Sequence, residues 1–195
     1  VPAEDAEDGV VSYILYDPNT HPTETAEATQ NRLDAMVIEM QQAYGGTVIP
    51  VPVARADDYH TELIRIAALD STVAVAVYAH GDPTAIQFGD QRYEESLTKS
   101  GISDLESLPM MDIDFYLYPC NTGHSHVKGN YASQLSEKTR GKVVAPDGTH
   151  SLSGVLVPPP NSDMTELISN VKEDQYWKPH TVSNEKSLGM VEYNG

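Results

Sequence analysis

Apolar residues recur along this chain in two rhythms, and the switches between them mark out its elements. Val10 to Tyr16 (VVSYILY) is rich in β-branched and aromatic residues and breaks at Asp17-Pro18-Asn19, which predicts a strand followed by a turn. From Thr23 the spacing becomes helical: Leu33, Met36, Val37, Met40 and Tyr44 share one face, and Gly45-Gly46 ends the run. Thr47 to Ala54 (TVIPVPVA) reads as a second strand, with Pro50 and Pro52 placing it at a sheet edge because proline has no N–H to give to a ladder. Asp57 or Asp58 is expected to cap a second helix that turns Tyr59, Leu63, Ile66 and Ala67 inward. Val73 to Ala79 (VAVAVYA) is the most continuous apolar stretch, as expected of a parallel strand buried on both faces.

That strand runs straight into His80-Gly81-Asp82-Pro83, followed by a strand-like piece at Ala85 to Phe88 and a polar helical stretch around Arg92 to Leu97. Ile113, Phe115 and Leu117 then alternate with Asp114, Tyr116 and Tyr118, a strand pattern ending in Pro119-Cys120-Asn121-Thr122-Gly123. Asn130 is expected to cap a helix through Tyr131, Leu135 and Thr139 that stops at Gly141, and Lys142 to Ala145 reads as a strand ending at Pro146-Asp147-Gly148. Beyond it the pattern predicts a strand in 150–157, a helix from Met164 to Val171, and a polar C-terminal tail over 172–195 with Trp177 as its large anchor. Residues 1–9 read as a loose acidic leader. Strands alternating with helices predict one α/β domain over 1–195, a three-layer sandwich with a mostly parallel central sheet and helices on both faces.

Composition narrows the function classes. The 39% hydrophobic and 21% charged residues are ordinary for a chain that folds. Twelve Lys and Arg stand against 29 Asp and Glu, a formal charge of −17, and no basic cluster interrupts the acidic field. Such a field repels phosphate backbones, so nucleic acid is not an expected partner. No apolar run reaches the roughly 20 residues of a membrane span. The first residue, Val1, suggests a domain excised from a larger multidomain chain or a processed product. The single cysteine, Cys120, cannot form an internal disulfide; it is a buried structural thiol, a metal ligand or a nucleophile.

In open α/β sheets, sites form outside the carboxyl ends of the strands. His80 and Cys120 both follow such ends, and neighbouring strands about 4.8 Å apart would let the imidazole take the thiol proton or hold a thiolate. Gly81 would let the backbone turn away from His80, and the amides of Gly81 and Cys120 are candidates for an oxyanion hole. Asp82 and Asp147 are acidic groups at the same edge, and Asp17 is placed to orient His80; ordinary turn chemistry explains all three equally. His124 is the alternative base. With His126 it suggests a zinc site on Cys120, but there is no second cysteine and no tight ligand spacing, so neither metal nor cofactor is expected.

The pair VAVAVYAHGD and IDFYLYPCNTG resembles the caspase-like (clan CD) group of cysteine peptidases, which includes caspases, gingipains, separase and the self-cleaving protease domains of large bacterial toxins. HGDP, CNTG and YASQLSEKTRGKVVAPDG together are similar to effector modules of bacterial polymorphic and Rhs-type toxins, over roughly residues 70–150. The resemblance implies a caspase-like fold, a Cys120–His80 dyad cleaving a protein or peptide substrate through a thioester, and a secreted bacterial protein delivered into a target cell. It also places Asp147 where the pocket for the residue before the cleaved bond is lined, implying a basic residue there. Pro119 departs from the pattern, which has a small residue before the cysteine. Two other readings use the same residues: a glutamine deamidase or transamidase with the same dyad, and a non-enzymatic binding module on a hydrolase-like fold, with Pro119 the sign of lost activity.

Overall fold

The computed structural model describes residues 9–19, 24–90, 92–150, 171–172 and 190–195. Strand β1 (Val11–Tyr16) leads through helix α1 (Ala26–Tyr44) to β2 (Thr47–Pro52), and α2 (Ala56–Ala67) returns the chain to β3 (Thr72–Tyr78) on the other side of β1. Three short strands, β4 (His80–Asp82), β5 (Ala85–Phe88) and β6 (Thr98–Gly101), form an antiparallel sheet of their own. Then come β7 (Asp114–Leu117), α3 (Tyr131–Thr139) and β8 (Lys142–Pro146). A two-residue pairing of β9 (Thr149–His150) with β10 (Val171–Lys172) precedes β11 (Met190–Asn194).

The main sheet has six strands in the order β2-β1-β3-β7-β8-β11, parallel throughout except for β11, which runs antiparallel to β8. The strands' period of two sorts their side chains into two cores. Leu15, Val75, Val77, Phe115, Leu117 and Val143 face Tyr59, Leu63 and Ile66 of α2 and Tyr131 and Leu135 of α3. Ile14, Ala74, Ala76, Tyr78, Tyr116, Tyr118 and Val144 face Leu33, Met36 and Met40 of α1. The architecture is therefore mixed α/β, with helices on both faces of a mostly parallel sheet. Each fully buried Leu or Ile contributes about 1.5–3 kcal/mol of apolar burial.

Local chemistry accounts for most boundaries. Thr25 caps α1 by accepting from the Ala28 N–H, and Gly45, at φ 71°, ends it in a conformation that costs a glycine little. Asn130 caps α3 by accepting from the Ser133 N–H as expected, but the left-handed residue at its end is Arg140, one before Gly141. Gly141 is needed for closeness: a Cβ there would stand 2.1 Å from the Ile113 carbonyl oxygen.

Several expectations require correction. Neither Asp57 nor Asp58 caps α2; both lie in its first turn, where they favour the positive end of the helix dipole, and Arg55 at the cap makes no side-chain bond. The HGDP segment is not a simple loop, because His80 already begins the small antiparallel sheet. The helical stretch expected near Arg92 is only a 3₁₀ turn, Glu94–Ser96, and the strand β6 was not anticipated. The C-terminal tail contains an edge strand, β11, whose pairing with β8 supplies an order that its polar sequence does not advertise. Val171, expected to end a helix, lies in β10, and His150, expected to open a strand over 150–157, lies in β9; residues 151–157, the rest of that helix and Trp177 lie outside the described residues.

Candidate active site

The register of two neighbouring strands builds the site. Parallel pairing of β3 with β7 aligns Ala74 with Asp114 and runs residue by residue to Val77 with Leu117. The Tyr118 N–H then donates to the Val77 carbonyl at 2.9 Å, and the Tyr78 and Tyr118 rings meet edge to face with centroids 5.7 Å apart. The ladder ends there, with His80 three residues beyond Val77 and Cys120 three residues beyond Leu117. Both residues are half-buried.

Gly81 keeps the strand ends together past the end of the ladder. A Cβ on it would lie 2.5 Å from the Pro119 Cβ, 3.0 Å from the Thr122 Cγ2 and 3.1 Å from the Cys120 carbonyl oxygen. Its φ is not in the left-handed region, so the residue is required for space rather than for a sharp turn. The loop after Cys120 is pinned at several points. Asn121 sits at φ 61° and its N–H donates to the Gly148 carbonyl at 2.8 Å. The Thr122 hydroxyl donates to the Pro119 carbonyl at 2.8 Å, and the Thr122 carbonyl accepts from the Ala132 N–H. The Gly123 N–H donates to the Pro146 carbonyl at 3.0 Å, and Gly123 packs so tightly that a Cβ would lie 2.8 Å from the Ala145 carbonyl oxygen.

The acidic candidates take different places. Asp17 follows β1 at the point where the order of the sheet reverses between β1 and β3, the crevice in which open α/β sheets hold ligands. It is 1% exposed, and its carboxylate accepts from the amides of Asn19 at 2.8 Å and Gly89 at 2.7 Å. Burial pushes the Asp17 carboxyl above its ordinary range, opposed by those amides and by the charge of His80, which lies within its electrostatic reach. Asp82 instead anchors a hairpin, accepting from the Thr84 N–H and hydroxyl on one oxygen and from the Gln87 amide on the other. Asp147 is 4% exposed, and its Oδ1 accepts from the Ser125 N–H at 2.7 Å and the Ser125 hydroxyl at 2.9 Å. The same oxygen stands 4.0 Å from the His124 Nδ1. His124 is buried behind the loop, where its Nδ1 accepts from the His126 N–H.

Two contributors were not recognised as such from sequence. Asn130, expected only as a helix cap, also donates through Nδ2 to the His124 carbonyl at 3.0 Å and to the Tyr193 hydroxyl at 2.8 Å. Tyr193, in the segment expected to be a tail, donates to the Gly123 carbonyl at 3.0 Å. No pattern in an isolated five-residue strand points to that role. Beside the β1 end, a groove of about 490 Å³ opens between Tyr16, Asn19, Gln30, Leu33, Asp90 and Arg92. Among the described residues, no group of three His, Cys, Asp or Glu side chains is arranged to hold a metal ion.

Residues 53–165 match the family described as a domain of unknown function, DUF8616, and the chain belongs to that family. The matched region includes His80, Cys120 and Asp147 but not Asp17 or Tyr193. No curated protein matches the chain at a significant level.

Proposed function

We propose that this DUF8616 domain is a caspase-like cysteine endopeptidase in which Cys120 is the nucleophile and His80 its acid–base partner, in an effector or processing module of a secreted bacterial protein. The observation that supports the reading is that β3 and β7 are neighbouring parallel strands, with His80 and Cys120 each three residues beyond their last pair, Val77 with Leu117, and with Gly81 packed against Pro119 and the Cys120 carbonyl. The groove beside β1 opens at the same edge of the sheet, lined by neither His80 nor Cys120.

In this reading His80 takes the proton of the Cys120 thiol, and the thiolate attacks a peptide carbonyl to give a tetrahedral oxyanion. The C–N bond then breaks, the imidazolium protonates the leaving amine, and a thioester remains on Cys120. Water, deprotonated by His80, hydrolyses the thioester and restores the thiol. Asp17, buried at the end of β1, lies within electrostatic reach of His80. Asp147, with one oxygen committed to Ser125, supports the loop wall and leaves the preference of the site open.

The test is Cys120→Ala and His80→Ala against a panel of denatured protein substrates. Both variants should lose cleavage by at least a hundredfold with melting temperatures close to wild type. Full cleavage by Cys120→Ala would end the reading. Intact-mass spectrometry separates fragments from the gain of about one dalton that a side-chain deamidase would leave, both being outcomes of the same acyl-transfer chemistry. A wild-type thiol that iodoacetamide alkylates no faster than free cysteine would instead favour a binding module.

A further inference from the structure

The loop that follows the proposed nucleophile is held by a strand from the far end of the chain. β11 lies against β8 with Met190 opposite Pro146 and Asn194 opposite Lys142, which brings Tyr193 across Val143 and over α3. There the Tyr193 carbonyl accepts from the Ser136 hydroxyl at 3.1 Å, and the same Ser136 hydroxyl donates to the Gly141 carbonyl at 2.8 Å. The Tyr193 side chain turns toward the site: its hydroxyl donates to the Gly123 carbonyl at 3.0 Å and accepts from the Asn130 Nδ2 at 2.8 Å.

Asn130 completes the arrangement. Its Oδ1 accepts from the Ser133 N–H at the start of α3, and its second Nδ2 proton goes to the His124 carbonyl at 3.0 Å. One phenol and one amide thus hold the carbonyls of Gly123 and His124, three and four residues after Cys120, to a helix and to the sheet edge. Asn130 uses its acceptor and both its donors, and Tyr193 its single donor. Burial pushes the Tyr193 phenol above its usual range, which keeps on it the proton it donates.

We infer that Tyr193 is a positioning residue of the proposed cysteine site: through its hydroxyl, strand β11 fixes the Cys120–His124 loop in the geometry that pairs Cys120 with His80, so that site competence depends on β11 being docked. The inference rests on the dyad reading. Tyr193 touches no reacting atom and acts through the Gly123 carbonyl. Without its hydroxyl, Asn130 keeps the cap and the His124 bond, while the Gly123 carbonyl loses its side-chain anchor and the loop gains freedom where small displacements of a nucleophile are costly.

The experiment measures the rate of Cys120 alkylation by iodoacetamide from about pH 5 to 9, with thermal melting, in the full chain. In Tyr193→Phe the rate at neutral pH should fall about five- to tenfold and the midpoint of its pH profile should move up toward that of a free thiol, about 8.5. Glu192→Gln, an exposed change on the same strand, should leave both at wild type. Asn130→Ser keeps a capping oxygen and the Tyr193–Gly123 bond while losing both amide donors, and should shift rate and midpoint less than Tyr193→Phe; a shift as large would overturn the assignment to the Tyr193 hydroxyl. A fast wild-type thiol with Tyr193→Phe unchanged in rate and midpoint overturns this inference and leaves the dyad reading intact. A wild-type thiol that titrates as free cysteine overturns both.

Discussion

Gly81 and Pro119 interlock across the ends of two parallel strands: the bare Cα of the glycine faces the proline ring, and a methyl group there would come within 2.5 Å of the Pro119 Cβ. Pro119 thus has a structural counterpart. The proline fills the space that the missing side chain leaves, and the contact locks Cys120 to the strand carrying His80. Gly81→Ala is expected to cost about 1–3 kcal/mol of stability by overpacking. It should also slow any Cys120-dependent reaction by tenfold or more, since sub-ångström shifts of a nucleophile are felt in the rate. Gly101→Ala, where the nearest atom to a new Cβ is 3.9 Å away, serves as the control and should change neither. Urea denaturation beside thiol alkylation rates would read both effects.

Asp17 should leave a signature in the pH dependence of stability. Its carboxyl is raised above the ordinary value of 3.8, so a proton binds the folded chain more tightly than the unfolded one. That stabilisation is fully present below the unfolded value and is lost as pH rises through the folded one. Asp17→Asn lacks this component. The stability of wild type relative to the variant should therefore decline as pH rises from the ordinary value of 3.8 and level off above the folded value. A difference that stays flat or grows over that range would refute the assignment.

The Thr122 hydroxyl spans the turn that presents Cys120, donating to the Pro119 carbonyl inside the protein. Thr122→Val keeps the shape and removes the donor, and should cost about 1–3 kcal/mol because a buried carbonyl loses a partner. Thr122→Ser keeps the donor and should recover most of that loss along with the thiol reactivity. Equal reactivity in the two variants would show that the hydroxyl does not set the turn.

Leu63 of α2 lies in the core on the opposite face from the groove. Leu63→Ala should destabilise the fold by about 2–5 kcal/mol, yet leave the alkylation rate of Cys120 near wild type under native conditions. A parallel collapse of reactivity would mean that the site is no more than a reporter of global stability.

Much of this fold was legible in the chain because its signals are local. The unbroken apolar run at 73–79 announced a strand buried on both faces, and Asn130 marked the start of its helix. The His80 and Cys120 positions were readable because each follows a strand end, and sheet topology does the rest. What escaped is non-local. Asp147 sits in a turn motif that says nothing of its two bonds to Ser125, and Tyr193 meets Gly123 across 70 positions of sequence. Of the small β4-β5-β6 sheet only β5 was expected; its partners are three or four residues long and lean on one another.

The two prolines of β2 govern how this molecule meets others of its kind. The Thr47 and Val53 amides donate inward to Val10 and Tyr16, so odd-numbered donors face β1 and the even-numbered positions, Pro50 and Pro52 among them, point away from the sheet. Of the three outward positions in β2 only Val48 has an N–H to offer. A second copy approaching this side finds too few donors to add a strand, so the prolines blunt this edge of the sheet against edge-to-edge pairing.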